Sequence, residues 1–282
     1  MALDQTQNIC VCAMIAVLLS IPGLVRAQEA VEHDLHFTHP IFTESVSPDS
    51  KVRLDFAREW EDEGTANEIE FEGEISVHHD FSIELEAPFV FLNRDVGSSE
   101  SGLGNLEVAF KFANLSFVDR GLLLGYGLAF GLPTGDSGKG IGSGNIWEIE
   151  PFLNFRVMSG NWEIVGWTRF GIPTDQNPGE EVETEFHYDF STLYHFSSRF
   201  QGLVELNGGT GLSGPEAGEG IISVFPGIKV APFSNNPDLF IGLGGSFPLG
   251  DEELNAQLRA AVFYHFKAVS RWAALLVGCL TA

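Results

Sequence analysis

Cysteine is scarce in this 282-residue chain. Cys10 and Cys12 lie in an N-terminal apolar stretch and Cys279 lies near the other end, so the region between can form neither a disulfide framework nor a thiolate metal site. No small-residue triplet precedes Cys10 or Cys12 in the manner of a lipobox, which argues against a lipid anchor. Basic residues are also few: 15 Lys and Arg stand against 39 Asp and Glu, for a formal net charge of -24. A surface this acidic repels phosphate backbones, so no nucleic-acid partner is expected. Beyond the N-terminal stretch no run reaches the ~18 apolar residues of a membrane helix. That excludes helical spans from the body of the chain but not strands, which cross a bilayer with about ten alternating residues each.

The apolar stretch Ile9–Val25, followed by Val25-Arg26-Ala27, reads as a signal peptide covering residues 1–27, with cleavage before Gln28. One feature departs from that pattern: the first eight residues carry Asp4 and no Lys or Arg, which puts the start codon in question. Residues 28–50 show little periodicity and are expected to lie in the periplasm or to tuck into a lumen.

What the chain has in quantity is Gly (32), Phe (24) and period-two alternation. In NEIEFEGEISVHH, Ile69, Phe71, Ile75 and Val77 share one parity, while Glu68, Glu70, Glu72, Glu74 and His78 share the other. A helix would scatter those glutamates around its circumference; a strand places them in one row. The same alternation recurs in Lys51–Trp60, Phe81–Phe91, Asn105–Phe112, Glu181–Phe196 and Ala256–Phe266. Further candidates are Gly121–Leu132, Ile146–Val157, Trp162–Ile172, Phe200–Gly209, Ile221–Ala231 and Leu239–Phe247, which brings the expected number of strands to twelve. Pro88, Pro151 and Pro226 fall inside candidates, where a missing N–H predicts a bulge or a strand end.

The connections alternate in length. EDEGTAN, NRDVGSSESG, PTGDSGKGIGSGN, PTDQNPGEE, LSGPEAGEG and PLGDEELN are long and polar, whereas HHD, MSGN and SSR are short, with ANLSFVD and PFSNNPD somewhat longer. Outer-membrane barrels have this asymmetry between external loops and periplasmic turns. A soluble β-sandwich also alternates, with its apolar face inward. The secretory segment, the aromatics near strand ends (Trp60, Trp147, Trp162, Tyr264, Phe266) and the small residues opposite them (Gly125, Gly127, Ala129, Gly131, Gly242, Gly244, Ser246) favour the membrane barrel. The expected class is all-β: a transmembrane, antiparallel, up-and-down β-barrel over residues 51–266, with residues 267–282 outside it. Truncation after Phe266 is expected to leave assembly intact, as judged by heat-modifiable gel migration.

GLGNLEVAFKF (Gly102–Phe112) and GLAFGLPTGDSGKGIGSGNIWEIEPFL (Gly127–Leu153) resemble the outer-membrane barrel family named for the MetA pathway of phenol degradation. The resemblance rests on the GLG-type strand start, the PTGD turn (Pro133–Asp136), the glycines Gly142 and Gly144, and the strand with Glu150 and Pro151. It implies a barrel and uptake of hydrophobic or aromatic compounds, and it implies no catalytic residues. A family barrel ends on a strand with a terminal aromatic, as AVFYHF does at Phe266, yet sixteen residues follow it here.

The strongest site-like feature is the acidic phase of the strands. Glu70, Glu72, Glu74, Glu84, Glu86, Glu107, Glu150, Glu183 and Glu185 are expected to line the lumen and set selectivity, joined by Glu148, Glu163, Asp189 and Glu205. A ring of carboxylates selects for cations. Arg53, Arg169 and Arg259, with Lys111 and Arg156, would partly balance them in a water-filled or salt-bridged lumen. His33, His36 and His39 have metal-ligand spacing beside Asp34, but Pro40 and the lack of helical context favour a solvated segment. His78, His79 and Asp80 sit at a short turn. No serine has a nucleophile-elbow context and the Gly-rich PTGDSGKGIGSG lacks GxxxxGK[ST], so neither an enzyme nor a phosphate loop is expected. The reading is a channel or uptake barrel for small hydrophobic or aromatic compounds, without cofactor or metal. Its partners would be outer-membrane lipid, the permeant and the barrel-assembly machinery. The alternatives are a plugged structural or adhesion barrel and a barrel hydrolase.

Overall fold

The computed structural model describes residues 39–45, 47–61, 63–144, 146–174, 183–214, 217–249 and 254–266. The expected signal peptide, the tail, His33 and His36 lie outside the described residues. The described residues form the strands β1 (Lys51–Glu61), β2 (Gly64–His78), β3 (Phe81–Arg94), β4 (Glu100–Leu103), β5 (Leu106–Asn114), β6 (Leu122–Leu132), β7 (Glu148–Ser159), β8 (Trp162–Pro173), β9 (Glu185–Ser197), β10 (Phe200–Gly211), β11 (Gly220–Val230), β12 (Leu239–Pro248) and β13 (Leu254–His265). Sequential strands pair antiparallel, and β1 pairs with both β2 and β13, which closes the sheet. β4 and β5 are two stretches of one barrel strand, both paired to β3. Counted together they give the twelve strands that the alternation predicts.

The three prolines interrupt ladders without ending strands. Near Pro88, the step from Glu86 to Phe89 on β3 faces a step one residue longer, from Glu107 to Leu103, and the extra residue makes a bulge. The β7–β8 ladder skips Glu150 and Pro151, and the β11–β12 ladder skips Phe225 and Pro226. In each case the ladder on the other side of the proline continues. A residue with no N–H can still serve one neighbour through its carbonyl.

The two ends of the barrel differ, though not at every connection as expected. EDEGTAN is not a long loop: β1 and β2 continue until Glu61 pairs with Gly64. ANLSFVD is ordered as a 3-10 helix at Leu115–Arg120, where the Asn114 side chain accepts from the Ser116 N–H at 3.0 Å. Gly121 ends it at a φ of 73°, a conformation that suits glycine.

Alternation sorts the side chains. Leu54, Phe56, Phe71, Tyr126, Leu153, Ile164 and Val262 face outward and are exposed, while Arg53, Asp55, Glu72, Glu74, Asn154, Arg156 and Gln257 face inward and are buried. An exposed apolar belt around a closed barrel is the surface that lipid covers. At the turn end the belt carries an aromatic chain. Trp162 meets Tyr194 at 4.7 Å between ring centroids, Tyr194 meets Phe196 at 4.8 Å, and Phe196 meets Phe200 at 5.2 Å.

Candidate functional site in the barrel lumen

Strand parity aims a dense set of charges into the lumen from β1, β2, β3 and β5. Lys51 is fully buried, with Nζ 2.6 Å from Glu72, 3.0 Å from Glu74 and 3.4 Å from Glu84. Lys111 reaches Glu84 at 2.6 Å and Glu74 at 3.5 Å. Arg53 binds Asp55 and lies 3.5 Å from Glu72. Ser82 donates to Glu74. Glu72, Glu74 and Glu84 are therefore inward, as expected, but they are held in ion pairs. Charges this deep are tolerable only when paired and hydrogen-bonded.

The stretch before β1 crosses this space. Ile41 and Phe42 each donate their backbone N–H to Glu205 Oε1 at 2.9 Å, and the Thr43 N–H donates to Oε2 at 2.7 Å. Three donors on one carboxylate make an anion nest. One residue further on, Glu44 accepts from Lys111 Nζ at 2.6 Å. Glu205 belongs to β10 and Lys111 to β5, strands on nearly opposite sides of the closed order. The chain thus bridges the lumen between residues 41 and 44. Lys229 donates to the His39 carbonyl, Arg53 donates to the Ile41 carbonyl, and the Arg259 guanidinium lies over the Phe42 ring at 4.8 Å.

His39 anchors the start of this segment and is buried at 2% exposure, so the expectation of a solvated segment fails there. Lys51 Nζ donates to its Nδ1 at 3.3 Å, and its Nε2 donates to Asp49 Oδ2 at 2.7 Å. Burial, and then the Lys51 ammonium, hold the imidazole well below its ordinary pKa, in keeping with a neutral ring. Burial and the neighbouring Glu74 push the Asp49 carboxyl up to about 6. Burial acts against the charge of Glu44, yet Lys111 and Lys51 hold its carboxyl below the usual value.

An apolar cluster packs around the segment. Ile41 shares one buried cluster with the inward-facing Val165, Leu193, Leu203, Phe225, Ala261 and Phe263. The inward glycines explain how these side chains fit. A Cβ on Gly244 would stand 2.3 Å from the Phe225 ring, and one on Gly242 would stand 2.8 Å from Ile41. The small-residue faces seen in the sequence are therefore sockets for luminal side chains.

Toward the loop end the carboxylates are less completely paired. Glu68, Glu70, Glu86, Glu107, Glu148 and Glu185 are half-buried on inward positions. Arg169 donates to the buried Glu150 at 2.7 Å and its guanidinium lies 4.8 Å from the Trp167 ring. Arg259 is 3.8 Å from Asp55 and 4.0 Å from Glu68. His187 donates to Glu185 at 2.7 Å. Glu183 does not belong to the strand row: β9 starts at Glu185, and Glu183 lies in the connection before it.

The charged residues Lys51, Glu44, Lys229 and Asp49 of this lumen were not singled out from the sequence. Lys51 shares the parity of Arg53 and Asp55, so the alternation carried that signal. Glu44 lies where no periodicity exists, Lys229 is a lone base in an apolar strand, and Asp49 precedes the first strand. Three groups among the described residues bring metal-ligating atoms within 4.8 Å of one another: His39 with Asp49 and His265, His78 with His79 and Asp80, and Glu44 with Glu72, Glu84 and Glu86, of which Glu72 and Glu84 are already paired with Lys51, Lys111 and Arg53. The Lys51 ammonium against His39 opposes a cation at the first.

Comparison with known proteins agrees with this architecture. The COG4313 outer membrane channel from Pseudomonas putida F1 superposes with a TM-score of 0.65 over 82% of this chain and 100% of that chain, at 12% identity. The NanC porin gives a TM-score of 0.52 over 76% of this chain and 99% of that chain, at 10% identity. The KdgM porin in complex with disordered oligogalacturonate gives 0.50 over 77% and 100%, at 13% identity. At such identities the likeness is one of fold. No curated protein sequence matches the chain. Residues 62–214 match the family described as "Putative MetA-pathway of phenol degradation", more than half of the chain, and this outer-membrane-type barrel belongs to that family.

Proposed function

We propose that this barrel is an outer-membrane channel for the uptake of small compounds, and that it favours cationic over anionic permeants. The observation that carries the reading is the loop-side ring of half-buried Glu68, Glu70, Glu86, Glu107, Glu148 and Glu185. A ring of fixed negative charge with low-dielectric walls concentrates cations at the mouth. The fold shared with outer-membrane channels and porins supports the channel reading, and the phenol-degradation description of the family supports small aromatic compounds as cargo. Glu72, Glu74 and Glu84 serve a different role in this proposal, because their charges are taken up by Lys51, Lys111 and Arg53.

Reversal potentials across planar bilayers test it. Cation preference should be strongest at low salt, where the Debye length reaches about 30 Å at 0.01 M. Replacing Glu70, Glu86, Glu107 and Glu148 together with glutamine should reduce that preference while the barrel still folds. Unchanged selectivity in the folded variant would count against the ring. A second reading, a barrel closed to permeants, is favoured by the chain crossing the lumen at residues 41–44. It predicts no conductance in the unmodified protein.

A further inference from the structure

Beside the Glu205 nest, three oxygen-bearing side chains occupy neighbouring inward positions on β9 and β10. Asp189 and Asn207 are direct partners across the ladder, and Ser191 is the next inward residue on β9, opposite Glu205. Their exposures are 5%, 6% and 0%. Asn207 Nδ2 donates to Asp189 Oδ1 at 2.7 Å, which fixes the amide so that Oδ1 remains as an acceptor. Among the described residues, Asn207 Oδ1 and Ser191 Oγ have no hydrogen-bond partner. Asp189 makes no ion pair within 4.0 Å among them. The nearby cations are engaged elsewhere, Arg169 with Glu150 and Arg156 with Glu163.

A buried carboxylate beside two unmet acceptors is unfavourable unless something brings positive charge and hydrogen-bond donors. An alkylammonium offers both, with three N–H donors for three oxygens. The neighbouring wall offers an aromatic face: the half-buried Trp167 lies opposite Asp189 on β8. Val165 and Leu193, beside Ser191, are fully buried in the cluster with Ile41. A bare metal ion would have no use for that wall.

We propose that Asp189, Asn207 and Ser191 form a binding site for a small organic ammonium ion, whose apolar body rests against Trp167. The site deepens the channel reading and rests on it for the ligand's route from the loop end. It would make a primary amine with an aromatic or aliphatic body the preferred cargo.

Titration calorimetry of phenethylammonium chloride into the detergent-refolded full chain tests the site. Binding is expected, with 2-phenylethanol and 3-phenylpropionate markedly weaker. Asp189→Asn should weaken it by about tenfold or more, about 1.4 kcal/mol. Ser191→Ala should weaken it several-fold. Asp136→Asn, an equal charge change in an exposed connection, should leave it unaltered. Heat-modifiable migration checks each variant for folding, and Ser191→Ala decides the matter if Asp189→Asn does not fold. Unchanged affinity in a folded Asp189 or Ser191 variant would overturn the site, as would equal binding of 2-phenylethanol. Conductance measured in parallel separates the two claims: conductance without ammonium binding removes the site alone, and binding without conductance removes the channel alone.

Discussion

Glu205→Ala is expected to raise the conductance of the barrel several-fold. The Glu205 carboxylate receives the backbone N–H groups of Ile41, Phe42 and Thr43, and it is the largest polar anchor on the β10 side of the segment. Hydrogen bonds to a charged group contribute about 1.5–3 kcal/mol each. Losing all three leaves three buried N–H groups without an acceptor, so the segment is better solvated than docked at that side. The remaining polar ties, Glu44 to Lys111, Lys229 to the His39 carbonyl and Arg53 to the Ile41 carbonyl, hold the segment from β5, β11 and β1 but not from β10. Glu205→Gln keeps an acceptor but not the charge and should fall between the two. Planar-bilayer conductance reads the effect, and thiol labelling of Thr43→Cys in a cysteine-free background reads the release directly. An alanine variant with unaltered conductance and an unlabelled Cys would show that the apolar cluster around Ile41 alone seats the segment.

The second large effect is expected at Lys51. Its ammonium is fully buried among Glu72, Glu74 and Glu84, with Glu44 4.0 Å away. Lys51→Met removes the shared counter-charge and leaves close carboxylates facing one another. Breaking a buried pair from one side costs about 3–5 kcal/mol. The folded, fast-migrating band should therefore disappear at a lower temperature or urea concentration than in the unmodified protein. Combining Lys51→Met with Glu72→Gln and Glu74→Gln should recover part of the loss, because it removes the repulsion as well as the counter-ion. The converse variant, Glu72→Gln with Glu74→Gln and Glu84→Gln beside an intact Lys51, should also destabilise, since it leaves buried cations unpaired. Glu70→Gln, at a half-buried position, should barely change stability. Equal melting of Lys51→Met and the unmodified barrel would mean that water already screens this network.

Alternation made most of the fold legible. Period two is a geometric property of the extended chain, so the parity of Glu70, Glu72 and Glu74 against Ile69, Phe71 and Ile75 placed the acids inside before any pairing was known. Where the chain had no period, the sequence was silent. The segment from His39 to Glu44 acquires its distant partners through β10, β11 and β5, from 67 to 190 residues away. The prolines show the same limit on a smaller scale. A missing N–H was evident at Pro88, Pro151 and Pro226, but which of two ladders would lose a rung depended on the neighbouring strands.

The sequence by itself determined twelve antiparallel strands, an apolar outer face and an acidic inner one, because alternating residues must point to opposite sides of any sheet they join. Only the tertiary structure decided what fills the interior. Closing the sheet brought β5 and β10 to opposite walls at a distance that one short segment can bridge, from Glu205 to Lys111. That closure paired Lys51 with Glu72 and Glu74 while it left Glu86, Glu107 and Glu148 half-exposed. Two glutamates of identical parity therefore differ in role, since parity fixes only the direction of a side chain, and the charges it meets there come from strands and segments far away in the chain.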